Sequence, residues 1–136
     1  MKVLVDTSVW SLALRHKRAV ENDRIRSALT TLVEDGRVAI IGAIRQELLS
    51  GIREQAQFER LRDHLRAFPD TSVTTEDYEE AAIYFNRCRD KGVQGSNTDF
   101  LICAVAVRNG FSILTTDEDF QLFAKIVPIA LHYAII

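Results

Sequence analysis

Several things are scarce in this 136-residue chain, and each scarcity excludes something. Cysteine occurs only twice, at Cys88 and Cys103. Their spacing fits no zinc motif, and both fall in helix-like apolar stretches, so two reduced core thiols are expected rather than a disulfide. Glycine occurs six times, but no G-x-G-x-x-G cluster follows the first strand, as a dinucleotide site would need. The longest apolar run, 100–107, is far too short to span a bilayer. The first residues carry Lys2 and then Asp6 without the apolar core of a secretory leader, so the expected location is the cytoplasm, with no membrane partner. Positive charge is not in excess either. The formal net charge is −2, which gives no overall basic signature for nucleic acid.

That average hides an asymmetry. Residues 1–69 hold 12 Lys/Arg against 9 Asp/Glu, and residues 70–136 hold 5 against 10. The first half is thus +3 and the second −5, so a basic approach surface and an acidic pocket are compatible in one molecule. A hydrophobic fraction of 47% with 26% charged residues is that of an ordinary globular protein, and the length fits one domain over 1–136.

Hydropathy patterning alternates short apolar runs with helical periods. Buried strands are expected at 3–5, 38–41 and 112–115, with a final strand at 128–133. Helices are expected at 8–14, 22–34, 43–52, 54–67, 76–91, 97–108 and 117–125. Ile25, Ala28, Leu29, Leu32 and Val33 should form the inner face of the second helix, which Gly36 ends. Tyr78, Ala81, Ala82, Phe85 and Cys88 should line the inner stripe of the fifth, with Thr75 as its cap. The helix at 97–108 has almost no polar face and should lie deep inside. Strands alternating with helices imply an α/β fold with a parallel sheet flanked by helices on both faces. Ligands of such sheets bind outside the carboxyl ends of the strands.

Four carboxylates stand out by position. Asp6 ends the first strand. Glu47 lies in the helix after the second. Asp99 opens the apolar helix, and Asp117 follows the third strand in "TTDEDF", where Asp119 is also available. Each has an ordinary structural reading. Asp6 and Asp117 suit helix N-caps, Glu47 suits a solvent-facing helix position, and Ser96-x-x-Asp99 matches a capping box. Those readings do not exclude metal ligation. Two carboxylates about 5 Å apart repel by roughly 3 kcal/mol at an effective dielectric of about 20. Converging acids therefore call for a cation, and all-oxygen donors favour Mg²⁺ or Mn²⁺ over zinc.

Three segments, "VLVDTSVW", "GAIRQELLSGI" and "SNTDFLICAVAVRNGFSILTTDEDF", carry a family likeness in their order and spacing. Together they make the chain resemble the PIN-domain ribonucleases, especially the VapC toxins of type II toxin–antitoxin pairs. The resemblance implies a single PIN-like domain over 1–136 and a metal-dependent endoribonuclease. Asp6, Glu47, Asp99 and Asp117 map onto the family's acidic quartet, and Asp119 onto a variable fifth position. Thr7, Ser8 and Thr116 map onto supporting hydroxyls. Bound Mg²⁺ or Mn²⁺ would activate a water for in-line attack on a phosphodiester. Arg15, Lys17, Arg18 and Arg45 are candidates for RNA phosphates. The resemblance also implies a homodimer and a cognate antitoxin, whose tail would occupy an apolar groove. Trp10, Leu14, Leu49, Ile52, Phe58 and Leu61 are candidates for that groove, or for ordinary core.

Other readings fit less well. A haloacid-dehalogenase-type phosphatase needs a second Asp two residues after the first, where this chain has Ser8. A response-regulator receiver needs an early acidic pair and a late lysine, and Lys125 lies inside an expected helix. A catalytically inactive PIN-fold binding module would keep the fold and need no intact acids. His16, His64 and His132 adjoin none of the acidic motifs, so a histidine-pair ribonuclease is not supported.

Overall fold

The computed structural model describes residues 1–14 and 22–133. The expected basic loop with Arg15, Lys17 and Arg18 lies outside the described residues. Strand β1 (Val3–Val5) is the centre of a three-stranded parallel sheet of order β2-β1-β3, with β2 at Val38–Ala39 and β3 at Ser112–Leu114. Val3, Leu4 and Val5 are all fully buried. Successive strand side chains point to opposite faces, so both faces of the sheet are covered, as the unbroken aliphatic run implies.

Seven helices complete the described chain: α1 (Thr7–Leu14), α2 (Asp23–Glu34), α3 (Gly42–Leu49), α4 (Gln55–Leu65), α5 (Thr75–Asp90), α6 (Asn97–Asn109) and α7 (Asp119–Phe123). Phe100 to Ala106 of α6 are all buried, so this helix does sit within the core. It packs closely on α5, and Gly110 ends it in the left-handed conformation at φ 69°. Cys88 and Cys103 are buried free thiols.

Several expectations need correction. The final strand over 128–133 reduces to one parallel bridge, Ile113 to Leu131, with Ile113 N donating to Ala130 O and His132 N to Ile113 O. Pro128 has no N–H to extend it. Strand β2 is two residues long, because Ile40 instead bridges Asp70 and accepts from Thr71 N. Helix α3 stops at Leu49, where Ser50 is extended and Gly51 takes φ 87°. Helix α7 begins at Asp119 rather than 117.

The inner face of α5 is rotated relative to the expected stripe. Asp77, Ala81, Tyr84 and Cys88 are buried, while Tyr78 is 59% exposed. The cap is Thr74, not Thr75, in a reciprocal capping box with Asp77. Arg108 of α6 explains the rotation. Its guanidinium holds both oxygens of Asp77 at 2.7 and 2.8 Å, which turns the acid inward. On α2, Val33 is exposed, while Leu29 and Leu32 are buried as expected.

Candidate active site

Parallel register builds the site. Val5 pairs with Leu114, so the first residues after β1 and β3, Asp6 and Thr115, emerge side by side at the carboxyl edge of the sheet. Asp6 is 6% exposed. One of its oxygens accepts from Thr7 N at 2.8 Å. The other accepts from Thr115 Oγ1 at 2.8 Å and Ser8 Oγ at 3.0 Å. All three donors are neutral. Burial pushes the Asp6 carboxyl above the ordinary value, the hydroxyls and the amide draw it back, and the charge of Asp117 raises it further.

The other acids join from separate elements. Glu47 of α3 is exposed and accepts from Thr7 Oγ1 at 2.7 Å, across 40 residues of sequence. Asp99 sits in the first turn of α6. It forms the expected capping box, its side chain accepting from Ser96 N at 3.0 Å while its own amide donates to Ser96 Oγ at 3.1 Å. Burial raises its carboxyl, the Ser96 hydrogen bonds oppose that, and the charges of both Asp6 and Asp117 add to the rise. Asp117 donates its amide to Thr115 Oγ1 at 3.0 Å and accepts from Asp119 N at 2.9 Å. Asp117 thus also takes up the first amide of α7, close to its structural reading as a cap. Asp119 itself is exposed.

Asp6, Asp99 and Asp117 therefore share one electrostatic neighbourhood, and Glu47 is tied to it through Thr7. The charges that act on Asp6 and Asp99 there are those of other carboxylates. Among the described residues, no three acidic, histidine or cysteine side chains stand close enough to enclose an ion as they lie. The edge is assembled in kind and in place, but its side chains are not closed around a centre.

Supporting groups differ from expectation in two ways. Thr7 and Ser8 hydroxyls do contact the acids, but the third hydroxyl belongs to Thr115 rather than Thr116. Thr116 contributes its amide, which donates to Ser8 Oγ at 3.1 Å, and its side chain is exposed. The signal for Thr115 lay in register: it is the first polar residue past β3, as Asp6 is past β1. Arg45 departs from its expected role on phosphate. Its guanidinium donates to Asp70 Oδ1 at 3.0 Å and to the carbonyls of Leu65 and Phe68, clamping α3 to the chain after α4.

Of the six groove candidates, Leu14, Ile52 and Leu61 line an open hollow of about 380 Å³ with Gln57, Arg60 and His64. Trp10 is core, edge-on to Phe68 at 5.4 Å. Leu49 and Phe58 are half-buried outside that hollow.

Comparison with known proteins agrees with this architecture. The family model described as PIN domain matches residues 3–126. The chain is 30% identical over 126 residues to VapC ribonuclease Mb1587 of Mycobacterium bovis and to ribonuclease VapC11 of Mycobacterium tuberculosis, covering 91% of this chain and 92% of each relative. Its fold matches a chain of FitAcB from Neisseria gonorrhoeae with a TM-score of 0.76 at 20% identity, over 97% of both chains. It also matches a chain of VapBC2 from Rickettsia felis, solved bound to a promoter DNA fragment, with a TM-score of 0.77 at 18% identity over 97% and 98%. With the acids of three separate segments at one sheet edge, this chain belongs to the PIN-domain family, in its VapC branch.

Proposed function

We propose that this chain is a metal-dependent endoribonuclease that acts as the toxin of a toxin–antitoxin pair. The observation that carries the reading is the gathering of Asp6, Asp99 and Asp117 at one edge, where burial and neighbouring carboxylates raise both Asp6 and Asp99 and, among the described residues, only neutral donors meet Asp6. Such a cluster stores repulsion that a cation would remove. Its oxygen-only donors suit Mg²⁺ or Mn²⁺. Asp6 and Asp99 are the direct ligands in this reading, with Glu47 and Asp117 completing the set and Asp119 at its margin. Side-chain rotation of the exposed Glu47 and half-buried Asp99 would close the set. When bound, the cation supplies an acidic water and neutralises charge on a phosphodiester.

The chain's own residues do the rest. Ser8, Thr115 and the Thr7 amide fix the orientation of Asp6, so its lone pairs are presented in one direction. Thr7 holds Glu47 in reach of the same edge. The Asp117 and Glu47 carboxylates, free of arginine or lysine partners among the described residues, are available to take a proton from an attacking water. Homologues named ribonuclease support RNA as the substrate, and the relatives solved as VapBC complexes support an antitoxin partner. The hollow of Leu14, Ile52 and Leu61 is the apolar groove offered to that partner's tail. A homodimer remains part of this reading.

Incubating the purified chain with a mixed RNA pool across a Mg²⁺ and Mn²⁺ titration tests it. Metal-dependent internal cleavage that Asp6→Asn abolishes is the expected result. Cleavage that persists in EDTA, or in a folded Asp6→Asn variant, would overturn it. Turnover of small phosphomonoesters instead of RNA would favour the phosphatase reading.

A further inference from the structure

A second hollow, of about 380 Å³, lies between α2 and the chain that follows β3. Arg24, Arg37, Ser27, Thr31 and His132 supply its polar lining. Arg24 has no hydrogen-bond or ion-pair partner among the described residues. Among the described residues Arg37 uses only Nε, on Met1 O at 2.7 Å, which leaves both terminal nitrogens of the fork for a ligand. Asp23 is the one acid in the lining, and it faces Arg26 at 3.4 Å.

This hollow shares one lining residue with a cleft at the catalytic edge. His132 also lines a narrower cleft of about 90 Å³ together with Thr115, Thr116 and two acids, Asp117 and Glu118. Tyr133, 72% exposed, stands at the same cleft. Through His132, the acids and the exposed Tyr133 ring of the cleft neighbour the two arginines of the hollow, which makes a candidate polar path. The chemistry changes along it from cation-binding to anion-binding. Burial and the charge of Arg37 hold the His132 imidazole below its ordinary value.

We infer that this path is a track for single-stranded RNA, with Arg24, Arg37 and His132 taking backbone phosphates a few nucleotides from the cut and Tyr133 stacking on a base. The inference rests on the ribonuclease reading and adds to it where the chain grips its substrate. Flexible phosphate-bearing strands bind in this way, through a positive groove and an aromatic face, without reading sequence. The asymmetry of charge along the path fits a polyanion that must approach an acidic centre: attraction is placed beside the cut, not at it.

The test uses the full chain with Asp6→Asn to prevent cleavage, in buffer with Mg²⁺, and fluorescein-labelled oligoribonucleotides of 4 and 12 nucleotides. Fluorescence anisotropy should show the 12-mer bound at least tenfold more tightly than the 4-mer. Adding Arg24→Ala or Arg37→Ala should weaken 12-mer binding several-fold and reduce the slope of log K against log salt by about 0.7 for each phosphate no longer neutralised. Arg89→Ala, the same charge change on α5 away from both hollows, should leave affinity and slope unchanged. Arg24 holds no other described residue in place, so its variant carries the test if Arg37→Ala unfolds. Equal affinity for both lengths, or equal effects of Arg24→Ala and Arg89→Ala, overturns the track while leaving the nuclease intact. Tighter binding of a polyglutamate peptide of equal length overturns it in favour of an acidic protein segment. Failure of both RNAs to bind overturns the track, while cleavage of the mixed RNA pool by the parent chain decides the nuclease reading separately.

Discussion

Asp77 and Asp99 occupy the same local motif. Each is the third residue of a helix, and each closes a capping box, with Thr74 and Ser96 respectively. Within the box their hydrogen bonds are alike, at 2.9 to 3.2 Å. Yet their acidities move in opposite directions. Burial raises Asp77, but the two-pronged hold of Arg108 and the Thr74 donors outweigh it, and the carboxyl falls below its ordinary value. Burial raises Asp99 as well, but among the described residues Asp99 meets no cation, only Asp6 and Asp117, and it stays raised. One box is complete in itself and serves stability. The other is left electrostatically unfinished at the edge where Asp6 and Asp117 gather. An S/T-x-x-D motif thus reports a helix start in both cases, and the charge brought by a distant segment decides whether its acid serves the fold or a ligand.

Substitution should separate the two most sharply in activity. Asp99→Ala, like Asp6→Asn, is expected to reduce RNA cleavage to background with circular dichroism unchanged. Asp77→Ala should leave cleavage per folded molecule near the parent value. In stability the order reverses. Asp77→Ala should lose about 2 kcal/mol in urea unfolding, because the cap disappears and the Arg108 guanidinium is left without its acid. Asp99→Asn keeps an acceptor for Ser96 N and removes a repelled charge. In metal-free buffer at pH 7 it should gain up to about 1 kcal/mol, in the pattern of stability given up for function. Adding Mn²⁺ should raise the melting temperature of the parent but not of Asp99→Asn, because only a folded-state ligand set gains by mass action.

Acid titration sharpens the contrast, with opposite signs for the two boxes. Asp77 has a depressed folded value, so its contribution is fully present above the ordinary carboxylate value of 3.8 and is lost as pH falls through the lower folded value. Asp6 and Asp99 have raised folded values, so their penalty is present at neutral pH. That penalty disappears as pH falls through the raised values toward 3.8. Metal-free stability curves should therefore lose their acid limb slope in Asp77→Asn and their upper limb slope in Asp99→Asn. Parallel curves for the two variants would show that the boxes do not differ as described.

A smaller effect should appear where the unfinished box meets the core. A Cβ at Gly95 would lie 2.6 Å from Phe123 Cζ and 3.0 Å from Phe100 Cε2. The centres of these two rings are 4.7 Å apart, and Gly95 directly precedes the Ser96 cap. Gly95→Ala should destabilise by about 1 kcal/mol through overpacking. Trimming the opposing ring with Phe123→Leu should recover part of it, read as melting temperature. The Thr74 box has no such aromatic abutment against a glycine, so it offers no equivalent.

Much of this molecule was legible in the order of its residues. The aliphatic run at Val3–Val5 has no polar alternation, which demands burial on both faces. The apolar helix behind Ser96 could only be a core helix. Local chemistry also marked Asp6, Asp99 and Asp117 as acids at element ends, and Glu47 as an acid inside the helix after the second strand. What the sequence could not reveal depended on groups distant in the chain. Thr115 replaces Thr116 because parallel register sets it beside Asp6. Arg45 is consumed by Asp70 and two carbonyls that its own neighbourhood does not contain. The inner face of α5 turns to Tyr84 because Arg108, 31 residues on, draws Asp77 inward. Hydrophobic periodicity and capping act over a few residues and can be read along the chain. Charge pairing, register and the mutual repulsion of carboxylates act through space, and only the packed structure brings their partners together.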